Sequence, residues 1–138
     1  MRVTCILLAT IVIWGCGYQL NAQTSGCRPA DAVSSRTLQT LVQIVTSTDS
    51  ADMAFRDSLG LEPTTASKVA LVPDTRTCQA AVGAFNSLFS SPGAVRSVFT
   101  YKIGNFFGVE DPDQPRGEYR AVAIFDRRWA YKNILLTF

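Results

Sequence analysis

The chain has 138 residues with 13 cationic and 11 acidic side chains, four cysteines and no histidine. That length is one domain's worth and suffices to bury a hydrophobic core. No cationic run exceeds Arg127–Arg128, which excludes the basic stripe that neutralises nucleic-acid phosphates, and the lack of histidine removes the commonest general base.

The chain begins with a lone charge, Arg2, followed by the unbroken apolar run ILLATIVIW at residues 6–14. A run of this length is too short to span a bilayer, which takes ~20 helical residues. It fits a secretory signal peptide. Two cleavage sites compete. Leu20 and Ala22 occupy the positions a general signal peptidase reads, making 1–22 the signal and 23–138 a single mature domain. Ile13–Cys16 instead resembles a degenerate lipobox, which would leave Cys16 as a lipidated first residue, although Trp14 is bulky for that motif. Removing Arg2 from the thirteen cations leaves twelve against eleven anions, a net of +1. The expectation is a bacterial-type exported protein, periplasmic or secreted, or else a membrane-anchored lipoprotein.

From Ala30 to Thr46, Val33, Leu38, Leu41, Val42 and Val45 recur at helical spacing behind Pro29, predicting an amphipathic helix. After a polar break, Ser50 is expected to cap a short second helix that buries Met53, Phe55 and Leu59 and stops at Gly60. KVALV, ahead of Pro73, reads as a short strand. Asp74 is a strong N-cap for a third helix, with Cys78, Ala81, Val82, Phe85, Leu88 and Phe89 on one broad face and Ser90–Gly93 ending it.

Cys78 near a helix start could be a reactive thiolate. An acyl-transfer cysteine, however, needs a general base, usually histidine, and a thioredoxin-like role needs a second thiol in a CxxC; neither is present. Once Cys5 and Cys16 leave with the signal, Cys27 and Cys78 remain as a pair in an oxidising compartment. A disulfide between them would close a long loop and stabilise the domain by ~4 kcal/mol in the chain-entropy picture.

From Ala94 the period changes from 3.6 to 2. Val95, Ser97, Phe99, Tyr101 and Ile103 alternate with Arg96, Val98, Thr100 and Lys102, and Gly104–Asn105 is a hairpin signal. FFGVE, EYRAVAIFD and AYKNILLTF follow as strands, giving a four-stranded antiparallel meander with KVALV as a candidate fifth strand. The predicted class is α+β: two N-terminal helices, a short strand and a third helix packed on one face of a four- to five-stranded meander.

Candidate sites are few. Glu110, Asp111, Asp113 and Glu118 gather in one loop but lack the Asp/Asn/Gly spacing of a calcium loop, so a solvated hairpin loop is expected, without a metal or other cofactor. Gln79–Gly83 resembles the Gln-x-Val-x-Gly hairpin of cystatin-type inhibitors, but Ala81 replaces the valine and the segment falls inside the third predicted helix. An interaction surface is expected where an exposed aromatic, Phe106, meets Arg120, Arg127, Arg128 and Lys132, since aromatic and arginine side chains are enriched in protein contacts. The last strand, if at the sheet edge, could pair with a partner's strand. No catalytic motif is present. The reading is therefore a non-catalytic module that binds a protein partner through its sheet face or edge, with no nucleic-acid role and no membrane contact beyond the signal or lipid. The alternative is a ligand-binding or enzymatic pocket between the third helix and the sheet, lined by Phe85, Tyr101 and Tyr119.

Overall fold

The computed structural model describes residues 26–62, 65–89, 94–114 and 119–137. The signal segment 1–22, Cys16 and the Ser90–Gly93 helix stop lie outside the described residues. Within them the order is α1 (Ala32–Thr46), α2 (Ser50–Leu59), a 3₁₀ turn (Ala66–Lys68), β1 (Val69–Leu71), α3 (Thr75–Leu88), β2 (Phe99–Ile103), β3 (Phe106–Glu110), β4 (Arg120–Phe125) and β5 (Tyr131–Thr137).

Local side chains set the helix ends. Asp31 and Ser34 form a reciprocal capping box, each accepting from the other's backbone N–H, so α1 starts after Asp31 rather than at Ala30. Asp49 rather than Ser50 caps α2, accepting from Ala51 N–H at 3.1 Å. Gly60 ends α2 in the left-handed region (φ 72°), which a side chain would make costly. Asp74 caps α3 through Thr77 N–H and Oγ1.

The sheet is fully antiparallel in the order β1-β2-β3-β4-β5, so KVALV supplies the fifth strand, on one edge, and β5 forms the other. β2 begins at Phe99 rather than near Ala94. Asn86 of α3 takes both the N–H and the C=O of Val95 (3.0 Å each), removing that peptide from any ladder. Val98 instead bridges in parallel to Cys27, donating to Gly26 O and accepting from Arg28 N–H.

Burial splits the strands by parity. Phe99, Tyr101, Ile103, Val122, Ile124 and Leu135 share a core with Leu41, Ile44 and Val45 of α1, flanked by Phe55 and Leu59 of α2. The alternate positions Val98, Val109, Ala123 and Phe125 pack with Ala81, Phe85 and Leu88 of α3. Strand side chains point alternately to opposite faces, so the helices lie on both faces of the sheet, α1 and α2 on one and α3 on the other. The expectation of a single covered face is corrected. Met53 is exposed, whereas Arg56, one of the polar residues of α2, is buried and donates to Ile44 O and Ser47 O, satisfying the C-terminal carbonyls of α1.

Cys27 and Cys78 form a disulfide across 51 residues of sequence. It ties the segment before α1 to the first turn of α3. Gly26 beside it (φ 80°) lies so close that a Cβ there would meet Cys78 C and O at 3.2 Å. A disulfide fits an oxidising compartment.

Candidate functional site

The two faces of the sheet hold very different chemistry. On the α1 face Glu110 is wholly buried at the end of β3. Tyr101 Oη donates to its Oε1 (2.6 Å), while Thr37 Oγ1 (3.1 Å) and Arg120 Nε (2.7 Å) donate to Oε2. Arg120 Nη2 also donates to Asp111 O at 3.0 Å. Each partner comes from a different element: α1, β2 and β4. Burial, and then the hydrogen bond to Glu110, push the Tyr101 hydroxyl above the usual phenol range. A buried carboxylate needs this much pairing to stay folded in. The cluster locks the splayed end of β3 and β4, whose ladder stops at Val109–Ala123. Its carboxylate is wholly buried, and only the Arg120 side chain reaches solvent in part.

On the α3 face the cover is incomplete. A cleft of about 220 Å³ runs between the C-terminal half of α3 and β4–β5, walled by Phe85, Phe89, Val95, Ala121, Ala123 and Ile134. The small side chains of Ala121 and Ala123 leave it open. Its polar rim is turned to the backbone: Asn86 holds Val95, and Gln114 holds Ala121 through Oε1···H–N (3.0 Å) and Nε2–H···O (3.2 Å). Asp111 Oδ1 accepts from Asp113 N–H. A shallower groove, about 510 Å³, lies on the other flank of α3, between Gly83, Ala84 and Ser87 and the aromatics Phe125, Trp129 and Tyr131.

Trp129 sits at positive φ (65°), an uncommon state for a bulky residue. It is held there by stacking on Phe107 (4.6 Å between centroids) and by its N–H to Asp126 O. Asp126 also accepts from Arg128 and Ala130 N–H, and these backbone bonds, Ala130's first, hold its carboxyl below 3.8. Beside these hollows Phe89 (38 %), Tyr131 (45 %) and Leu136 (46 %) are exposed. Leu136 pairs with Ala121 and so points to the cleft side of the sheet.

The residues anticipated as sites scatter. Phe85 lines the cleft. Tyr101 does not: it is fully buried on the opposite face, because the register places it on the α1 side with Phe99 and Ile103. Tyr119 is exposed, outside the described cleft wall. Phe106 is half-buried and packs on the α1 core rather than offering a surface, and Arg120 is committed to Glu110. Arg127, Arg128 and Lys132 are exposed around the β4–β5 turn, Lys132 lying 3.8 Å from Asp126. Glu110 is not part of a solvated loop, and Glu118 lies outside the described residues. Gln79–Gly83 is helical, within α3.

What the sequence reading missed is Glu110. The signal was its parity: Phe106, Gly108 and Glu110 continue the α1-facing phase of β3, as Arg120 does for Val122 and Ile124, setting opposite charges on one buried face. Among the described residues no group of three or more metal-ligating side chains converges, and no helix is long and apolar enough to cross a membrane. Comparison of the chain with protein-family models, curated proteins and solved structures finds no match.

Proposed function

We propose that this protein is an exported, disulfide-stapled binding module whose working surface is the open side of the α3 face, where α3 meets β4–β5. The observation that carries the reading is the cleft whose amide side chains, Asn86 and Gln114, are both spent on neighbouring backbone, beside exposed Phe89 and on the sheet face that also carries exposed Leu136. A small-molecule site places a few polar groups to orient its ligand. Here the amides brace the walls and Asp111 Oδ1 accepts from Asp113 N–H, while Phe89, Tyr131 and Leu136 leave large apolar side chains exposed beside the cleft, the kind of surface that marks protein contacts. The enzymatic alternative has less behind it, since the carboxylate of the densest polar cluster, Glu110, is wholly buried and the described cleft walls hold no nucleophile–base pair. Export rests on the apolar run at 6–14 together with the Cys27–Cys78 disulfide.

Site-specific photocrosslinking tests the reading. A benzophenone amino acid is placed at Leu136 or Phe89 and, as control, at exposed Gln43 on α1, in protein exported with its own N-terminal segment. The reading expects one discrete heavier adduct from the two cleft positions and none from Gln43. Adducts from Gln43 alone, or a smear of equal strength from all three positions, would contradict it.

A further inference from the structure

We infer that the partner docks as an extended segment added antiparallel to β5, with apolar side chains alternating into the cleft and an acidic end beside Lys132 and Arg128. The inference rests on the open-face reading and names its ligand. Among the described residues β5, Tyr131–Thr137, is the longest strand and has a ladder neighbour only on its β4 side. Such an edge is a ready template for another strand. Antiparallel addition continues the pattern of the whole sheet.

Register makes the side chains of this edge selective. Ile134 and Leu136 face the cleft side, so an added strand's same-face residues lie beside them at the cleft's outer margin, one strand beyond Ala121 and Ala123. At the start of β5 the exposed charges are Lys132 and, on the turn, Arg127 and Arg128, against a single nearby acid, Asp126, whose Oδ1 accepts from the turn's own N–H groups and whose Oδ2 lies 3.8 Å from Lys132, so the cations outnumber it. Lysine on an edge ordinarily discourages strand pairing. Facing an acidic segment it instead becomes a selector, favouring one charge and one direction. A further feature regulates access: Ile134 N–H donates to Asn133 Oδ1 at 2.8 Å, so a donor in the middle of the edge is occupied by the strand's own side chain. An incoming carbonyl must displace it.

The test uses two fluorescein-labelled, C-terminally amidated heptapeptides with valine alternating with threonine, one ending in two glutamates and the other in two lysines. Fluorescence anisotropy measures each against the disulfide-bonded protein. The glutamate peptide is expected to bind at least about tenfold more tightly, with the preference reversed in the Lys132→Glu/Arg128→Glu variant, whose charges sit on an exposed turn and strand. Asn133→Ala is expected to tighten the glutamate peptide about threefold by freeing the Ile134 donor; a contact made only by side chains would not respond. Equal affinity for both peptides, or no effect of the charge reversal, overturns the acidic segment. If Leu136→Lys then abolishes both, the open-face reading survives without it. Binding of neither peptide overturns strand addition, and the crosslinking at Leu136 and Phe89 then decides the open face independently.

Discussion

The two faces of this sheet are built to opposite ends. The α1 face is closed: the wholly buried Glu110 is paired with Arg120 and hydrogen-bonded across four elements, and its apolar side chains interlock with α1 and α2. The α3 face is covered at β2 and β3 but ends in two hollows and three exposed large apolar side chains. The closed face holds the fold together, while the open one leaves apolar side chains in solvent, which is the surface proposed above for a partner.

Breaking the closed face should cost most. Glu110→Ala leaves the Arg120 guanidinium and the Tyr101 and Thr37 hydroxyls without their shared acceptor, and is expected to lower unfolding free energy by about 3–5 kcal/mol in urea titration. Glu110→Gln should fall between this variant and wild type. The disulfide joins the chain's first described segment to α3, so Cys78→Ser is expected to lose about 2–5 kcal/mol in oxidising buffer. The same thermal midpoint in mutant and wild type would remove the staple from the account.

Smaller changes sharpen the contrast. Thr100 is buried on the α3 side, and its Oγ1 has no hydrogen-bond partner. Thr100→Val, which keeps the shape and removes the unpaired hydroxyl, is expected to raise stability by about 1 kcal/mol, read as a higher thermal midpoint. Acid should act through α3 and the β4–β5 turn. The hydrogen bonds from Thr77, side chain first and then backbone, hold the Asp74 carboxyl below its ordinary 3.8, as those of Ala130 and Arg128 do for Asp126. Because both pKa values are depressed on folding, their contribution is present above about pH 4 and is lost as the pH falls through the folded-state values. A thermal midpoint recorded from pH 6 downward should drop in that window, and less so in Asp74→Asn. Least of all, Leu136→Lys on the open face is expected to shift stability by no more than about 0.5 kcal/mol while abolishing partner binding. A large loss of stability there would mean the residue belongs to the core after all.

Much of the architecture was legible in the sequence because local chemistry dictates it. Asp74 as a cap, Gly60 as a stop and the Gly104–Asn105 hairpin all act within a few residues, whereas the strand expected from Ala94 starts only at Phe99, because Asn86 of α3 holds Val95. The Cys27–Cys78 pairing was legible from compartment and elimination. What lay hidden depends on which strand face meets which helix. Both phases of the strands carry apolar side chains, Phe99 and Tyr101 on one and Val98, Val109 and Phe125 on the other, so a sheet expected to be covered on one side is covered on both. Tyr101 and Phe106 carry aromatic rings that read equally well as pocket, surface or core, and only the register assigns them to the α1 side. Glu110 looked like loop because acids crowd after it; its burial follows from partners on α1, β2 and β4 that are far away in sequence. Nothing in the β5 residues alone indicates that Asn133 closes the Ile134 donor.

The most direct test of the division between the faces is an amide NMR titration of the ¹⁵N-labelled, disulfide-bonded protein with the glutamate-ended peptide. Shifts confined to β5 and the C-terminal half of α3, with slowed hydrogen exchange at the β5 amides, are the expected result. Shifts centred on α1 and α2, or none at peptide concentrations that saturate the anisotropy signal, would contradict it.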